Sequence, residues 1–128
     1  MAYRWIILVG ALSAAVPAAA QPPKPKPTWL IGPSGAQMSD LYPKAAMARR
    51  VQGDTAIRCR VTYQGLLYAC AVLRETPTGF DFGAAAIAAS ADWRMTPPTD
   101  HGVPVEDVVT VPIRWRLAGV PVPPDLKR

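Results

Sequence analysis

The feature that most restricts the fold is a run near the C terminus in which apolar and polar side chains alternate strictly. The odd positions are Val109, Val111, Ile113, Trp115 and Leu117, and the even positions are Thr110, Pro112, Arg114 and Arg116. A period of two predicts a β-strand with one buried face and one wet face. Because Pro112 has no N–H group for a ladder, we expect this strand to lie at a sheet edge or to contain a bulge.

A second strand pattern lies in the middle of the chain, where apolar side chains alternate with arginines. Its residues are Ile57, Arg58, Cys59, Arg60 and Val61. The turn Thr62–Gly65 and a further strand over Leu67–Leu73 predict a β-hairpin. In an exported protein an even number of cysteines indicates a disulfide, so we expect Cys59 and Cys70 to be joined across this hairpin. Such a crosslink would stabilise the fold by roughly 3 kcal/mol. The alternative is two separate buried thiols.

Two helices are expected on either side of the hairpin. Ser39 or Asp40 can cap the first helix, and Pro43 suits its first turn because no hydrogen-bond donor is needed there. The alanine-rich run Ala84–Ala91 predicts the second helix, and Pro97 prevents its continuation. The order helix, hairpin, helix, strand indicates an α+β fold.

The amino terminus has the pattern of a secretory signal peptide. Arg4 precedes a run without charge from Trp5 to Ala20 that ends in three alanines, which predicts cleavage between Ala20 and Gln21. The alternative is an uncleaved membrane anchor, but a spanning helix needs about 20 apolar residues and this run contains Pro17. The chain is thus divided into a signal peptide (1–20), a proline-rich extended segment (21–39), a folded domain (40–117) and a flexible tail (118–128).

Charge and residue types favour a binding protein over an enzyme. The formal net charge of +5 is dispersed, and no basic run alternates with aromatic residues, so nucleic acid is not an expected partner. His101 is the only histidine and no metal-ligand spacing occurs, so we predict neither a metal nor another cofactor. No nucleophile, base and orienting group can be combined from the remaining residues, so we predict no catalytic activity.

Several short motifs follow one another in a specific order. They are Tyr42-Pro43 with Ala45, Gly53, Gly65, Gly79-Phe80-Asp81, Ala84-Ala85, Trp93-Arg94-Met95, Pro97, Gly102-Val103-Pro104-Val105, and the run Val109 to Trp115. In this combination they resemble the C-terminal domain of TonB-type energy transducers, over roughly residues 41–117. The resemblance implies a three-stranded antiparallel sheet with two helices packed on one face.

The resemblance also implies a mode of action. In these transducers the domain binds a short peptide, the TonB box, near the amino end of an outer-membrane transporter, and the peptide adds as a strand beside the last strand. The corresponding edge here is Thr110, Val111, Pro112, Ile113, Arg114, Trp115 and Arg116. Sheet edges bind extended peptides through backbone hydrogen bonds, and Arg114 and Arg116 on the wet face would attract an acidic peptide. The alternative is that the tail, or a second copy in a homodimer, covers this edge.

The chain differs from an energy transducer at its amino end. Its apolar run has no histidine of the kind that contacts the proton channel, and the linker 21–27, at about 3.1 Å per residue, is too short to cross the periplasm. We therefore predict a periplasmic TonB-like module that binds a transporter peptide or another envelope protein. The alternatives are a transducer held in the inner membrane by an uncleaved helix, and an envelope scaffold that binds peptidoglycan.

Overall fold

The computed structural model describes residue 7, residues 9–18 and residues 24–127. The predicted cleavage site between Ala20 and Gln21 lies outside these residues. In the described part of the chain, every helix is too short or too polar to cross a membrane.

The secondary structure alternates short helices with strands. The elements are β1 (Trp29–Ile31), α1 (Gly35–Asp40), α2 (Lys44–Ala48), β2 (Gly53–Val61), β3 (Leu67–Thr76), α3 (Phe82–Ser90), β4 (Arg94–Met95), β5 (Thr99–Asp100), β6 (Val103–Pro104) and β7 (Asp107–Trp115). Strands β3, β2 and β7 form an antiparallel three-stranded sheet in that order, and β1 pairs with β4 and β5 with β6. The predicted α+β class and three-stranded antiparallel sheet are confirmed.

The two sides of the central strand β2 are paired differently. The register between β2 and β7 runs without a shift from Gly53 opposite Trp115 to Val61 opposite Asp107. The register between β2 and β3 shifts twice, between Ala56 and Ile57 and between Arg58 and Arg60. Strand β3 therefore contains two bulges, whereas β7 contains none.

The predicted disulfide between Cys59 and Cys70 is present. It lies at the second bulge, where Cys59 of β2 faces both Ala69 and Cys70 of β3. Ala69 adopts a positive φ of 48° there. The bulge that brings the two cysteines together thus lies within strand β3.

The core lies between the inner face of the sheet and the helices. Its buried members include Ile57, Cys59, Val111, Ile113 and Trp115 from the sheet, and Tyr42, Ala46, Phe82, Ala86, Ala89 and Trp93 from the helical side. The Tyr42 ring lies edge-on to the rings of Phe82 and Trp115, with centroid distances of 5.7 Å. The Tyr42 hydroxyl donates to the Val51 carbonyl at 2.6 Å. Burial raises the pKa of Tyr42, and the charge of Arg116 opposes this shift with a smaller effect.

The first helix differs from the prediction of one helix that starts at Ser39 or Asp40. The helix α1 already begins at Gly35, because the Ser34 hydroxyl accepts a hydrogen bond from the Gln37 N–H at 3.1 Å. The helical conformation is disfavoured for the residue before a proline, so α1 does not continue through Tyr42. The helix α2 follows Pro43 as a separate short helix. The segment 21–39, expected to be extended, therefore contains β1 and most of α1.

The C-terminal segment, for which the sequence predicted flexibility, folds back on the outer face of the sheet. The carboxylate of Asp54 accepts from Arg116 Nη2 and from the Lys127 backbone N–H, both at 2.7 Å. Leu126 is only 6% exposed. Asp54 itself is buried, so these contacts satisfy a carboxylate that would otherwise be costly to remove from water.

Candidate functional site

The predicted binding strand, β7, has β2 on one side and, within the described ranges, no strand on the other. Its side chains alternate between the two faces of the sheet. Val111, Ile113 and Trp115 are buried, whereas Thr110, Pro112 and Arg114 are exposed. Of the predicted site residues on this strand, only the exposed three can therefore offer side chains to a partner.

Trp115 belongs to the core. Its side chain is fully buried, and its Nε1 donates to the Thr55 Oγ1 at 3.2 Å. The aromatic contacts with Tyr42 and Phe82 hold the ring on the inner face. A partner at the edge would contact the backbone of Trp115 only.

Arg116 lies on the predicted wet face, but it is only partly exposed. Its side chain is 24% exposed and forms an ion pair with Asp54 at 2.7 Å. Its Nη1 also donates to the Gly53 carbonyl at 2.8 Å. The charge of Arg116 is thus compensated within the domain, whereas Arg114 is exposed and forms no ion pair with any described residue.

Two grooves follow the free side of β7 and meet at Pro112. The first groove, of about 560 Å³, lies between Asp107–Pro112 and the segment of Lys26, Pro27 and Trp29. The second, of about 770 Å³, lies between Pro112–Arg114 and the start of α1, and it extends over the outer face of the sheet as far as Asp54 and Arg74. The residues that line the second groove from α1 and the preceding turn are Pro33, Ser34, Gly35, Met38 and Ser39. Together the grooves follow β7 from Asp107 to Arg114.

The wall opposite β7 is attached to the rest of the domain through β4. Trp29 pairs with Met95, and its ring lies edge-on to that of Trp93 with a centroid distance of 5.6 Å. The Thr96 N–H donates to the Thr28 carbonyl at 2.8 Å, and the Thr28 N–H donates to Thr96 Oγ1 at 3.0 Å. These contacts fix the groove wall at a defined position next to β7.

The hairpin turn in turn supports β4. The Met95 N–H donates to the Gly65 carbonyl at 3.0 Å, and Leu66 pairs with Arg94. Gly65 has a φ of 85°, and a Cβ atom there would overlap the carbonyl oxygen of Met95. Only glycine therefore fits where the turn meets β4.

Sequence reasoning missed the strand β1 and the helix α1 of the groove wall, since 21–39 was expected to be an extended segment. One signal was available: Ser34 followed three positions later by Gln37 has the spacing of a capping box, which marks a helix start. In the structure Gln37 instead accepts from Trp93 Nε1 at 2.7 Å, and so joins α1 to the core.

The acidic, histidine and cysteine side chains do not assemble into a metal site. Across residue 7, residues 9–18 and residues 24–127, no three of them lie close enough to hold an ion. The geometry that this part of the molecule offers is a groove beside an unpaired strand.

Comparison with known proteins identifies the family. The family model "Gram-negative bacterial TonB protein C-terminal" matches residues 39–117. The chain is also similar to the solution NMR structure of the Pseudomonas aeruginosa TonB CTD, with a TM-score of 0.54 and 24% sequence identity over 75% of this chain and 89% of that one. This likeness shows a common fold. A search of curated proteins found no match. Because the family model covers more than half of the 128 residues, the chain belongs to the family of Gram-negative bacterial TonB protein C-terminal domains, as the sequence motifs predicted.

Proposed function

We propose that this protein is a periplasmic module that binds an extended peptide by strand addition at β7, and that its partner is the amino-terminal peptide of an outer-membrane transporter. Membership of the family makes the chain a TonB-like module of TonB-dependent transport. The observation that carries the finer proposal is the regular, unpaired strand β7 with a groove along its free side.

The backbone of β7 supports strand addition. Alternate residues of an antiparallel strand direct their N–H and C=O groups to opposite sides. The Val108 N–H donates to Asp107 Oδ1 at 2.8 Å, and Pro112 has no N–H, so neither residue offers an N–H to β2. The ladder with β2 therefore lacks no donor if the even positions of β7 direct their backbone groups away from β2. Thr110 and Arg114 then present N–H donors to the groove, and Pro112 presents a carbonyl only.

The side chains around the groove indicate the character of the peptide. Pro27, Trp29 and Met38 give the inner wall an apolar surface, whereas Arg74 and Arg114 line the outer rim. Successive side chains of a strand point to opposite faces. An added peptide with apolar residues on one face and acidic or polar residues on the other would match both surfaces.

The proposal assigns binding, and no catalytic step, to the chain. Backbone hydrogen bonds along an edge give affinity without a reacting group, and pockets for alternate side chains give specificity. We also propose that cleavage after Ala20 releases the module into the periplasm. The mass of the mature protein in fractionated cells tests this, because a chain that begins at Gln21 in the soluble periplasmic fraction would agree and an uncleaved membrane-bound chain would not.

An NMR titration of residues 21–128 with transporter amino-terminal peptides tests the binding site. We expect the largest chemical-shift changes at Thr110 and Arg114 of β7 and at Trp29 of the facing wall. Only half of the N–H groups of an added peptide strand face β7. N-methylation of one set of alternate residues should therefore weaken binding, whereas N-methylation of the other set should not.

A pair of charge variants completes the test. Arg114→Glu should weaken an acidic peptide, whereas Arg49→Glu, an equally charged change at an exposed position of the helical side, should not. No shift along β7 with any transporter peptide, or shifts confined to α3, would exclude strand addition at this edge.

A further inference from the structure

The outer face of the sheet, on the side away from the helices, carries exposed arginines from all three strands. They are Arg58 and Arg60 of β2, Arg74 of β3 and Arg114 of β7. Cross-strand register places them on one face, because Arg74 lies opposite Ala56, which also lies opposite Pro112, and Arg114 lies opposite Asp54. We refer to these four arginines as the outer basic face.

The charges of this face are mostly uncompensated. Among the described residues, none of the four arginines forms an ion pair. Asp54, the acidic residue at the start of β2 on this side, is already bonded to Arg116 and to the Lys127 N–H. Glu106 and Asp107 lie at one end only, beside Arg60.

The part of this face between Arg58, Arg74 and Arg114 carries short side chains, whereas Tyr68 and Val108 lie beside Arg60. Ala56 is 5% exposed, and its neighbours on this face, Ala71, Thr110 and Pro112, do not project far from the sheet. Around Ala56, therefore, no bulky side chain separates the arginines. The first peptide groove lies beside β7, and the second reaches this face at Asp54 and Arg74 but not at Arg58 or Arg60.

The spacing favours an array of anions over a single small one. Arg58 and Arg74 lie on adjacent strands and are offset along them, since Arg74 is opposite Ala56 and Arg58 is opposite Ala71. Arg114 lies on the opposite side of β2, so one small anion reaches one or two of these groups at a time. Guanidinium groups bind phosphate oxygens in pairs, and a leaflet of anionic lipids presents many phosphates in one plane.

We propose that the outer basic face docks on an anionic membrane surface through the phosphates of lipid headgroups. Arg58 and Arg60 lie outside both peptide grooves, whereas Arg74 and Arg114 also line the second groove, so the two sites share a border. Docking would hold the module at a membrane of the cell envelope while the free side of β7 stays accessible.

Co-sedimentation with vesicles tests the proposal. We expect the mature chain to bind vesicles of phosphatidylglycerol mixed with phosphatidylcholine, to bind phosphatidylcholine alone weakly, and to lose binding as salt rises. Each cation near an anionic surface contributes about fivefold in affinity, so Arg58→Gln with Arg60→Gln, both outside the peptide grooves, should weaken binding roughly 25-fold.

The matched control removes two charges from the helical side. Lys44→Gln with Arg49→Gln changes two exposed residues and leaves the outer basic face intact, so vesicle binding should stay within about twofold. Far-UV circular dichroism and urea unfolding verify that both double variants are folded. The proposal is overturned if the chain ignores anionic vesicles at low salt, if both double variants lose affinity equally, or if the chain sediments with purified peptidoglycan but not with vesicles.

Discussion

Replacement of Gly65 by alanine tests the contact that joins the hairpin turn to the groove wall. A non-glycine residue in this left-handed conformation costs about 1–2 kcal/mol. The added Cβ would overlap the Met95 carbonyl oxygen, so β4 has to move, and the hydrogen bond from the Met95 N–H to the Gly65 carbonyl is lost. That bond contributes about 1 kcal/mol. We expect Gly65→Ala to lower the free energy of unfolding by about 2–3 kcal/mol.

Gly79→Ala provides the control. Gly79 has a φ of 88°, but a Cβ atom there would meet no atom within 4 Å, so the conformational cost alone applies. Urea unfolding, with unchanged m values, should show that Gly65→Ala is the more destabilised variant by about 1 kcal/mol or more. Because the moved β4 carries the wall with Trp29, only Gly65→Ala should also weaken peptide binding. Equal destabilisation, within about 0.5 kcal/mol, would refute the close contact between the turn and Met95.

Three further predictions concern the core, the crosslink and the tail. Replacing Cys59 and Cys70 together by alanine should lower the free energy of unfolding by about 3 kcal/mol in urea, and an unchanged midpoint would show that the crosslink does not constrain the unfolded chain. Leu126→Ala should cost about 2–3 kcal/mol and speed amide hydrogen exchange in the tail, and unaltered exchange would contradict the docked position. Because burial raises the pKa of Tyr42 above its ordinary value of 10.0, its contribution to stability is complete below pH 10 and is lost as pH rises through the higher pKa of the folded state. Tyr42→Phe should therefore show a shallower loss of stability in alkaline urea titrations, and identical slopes would exclude this coupling.

The sequence predicted the elements whose patterns are local. From the alternation around Val111 and Ile113 we predicted that β7 is a strand, which of its residues are buried, and which face of the sheet they occupy. Pro112 indicated an edge position, and β7 is an outer strand of the sheet. The hairpin and its disulfide followed from the turn and the even cysteine count, but the bulge at Ala69 had no signal in the residue types.

The remaining features depend on contacts between distant parts of the chain. Because Arg116 continues the alternation, its side chain was expected to be exposed to water, but it is bonded to Asp54 from the start of β2. The tail was expected to be flexible because it is rich in proline, yet it is held by that same carboxylate. A pattern read along the chain has no access to such pairings, since they form only when β2 and β7 lie side by side.

The unequal outer strands of the sheet determine how many chains an edge contact can join. Strand β7 is regular along its full register, whereas β3 is interrupted by two bulges, which disturb edge-to-edge pairing. Head-to-tail growth from copy to copy needs two edges on each molecule that can pair with a strand of another copy, and this sheet has one. A self-association through β7 would therefore be isologous, with the same surface on both copies, and would close at a dimer instead of extending into a filament.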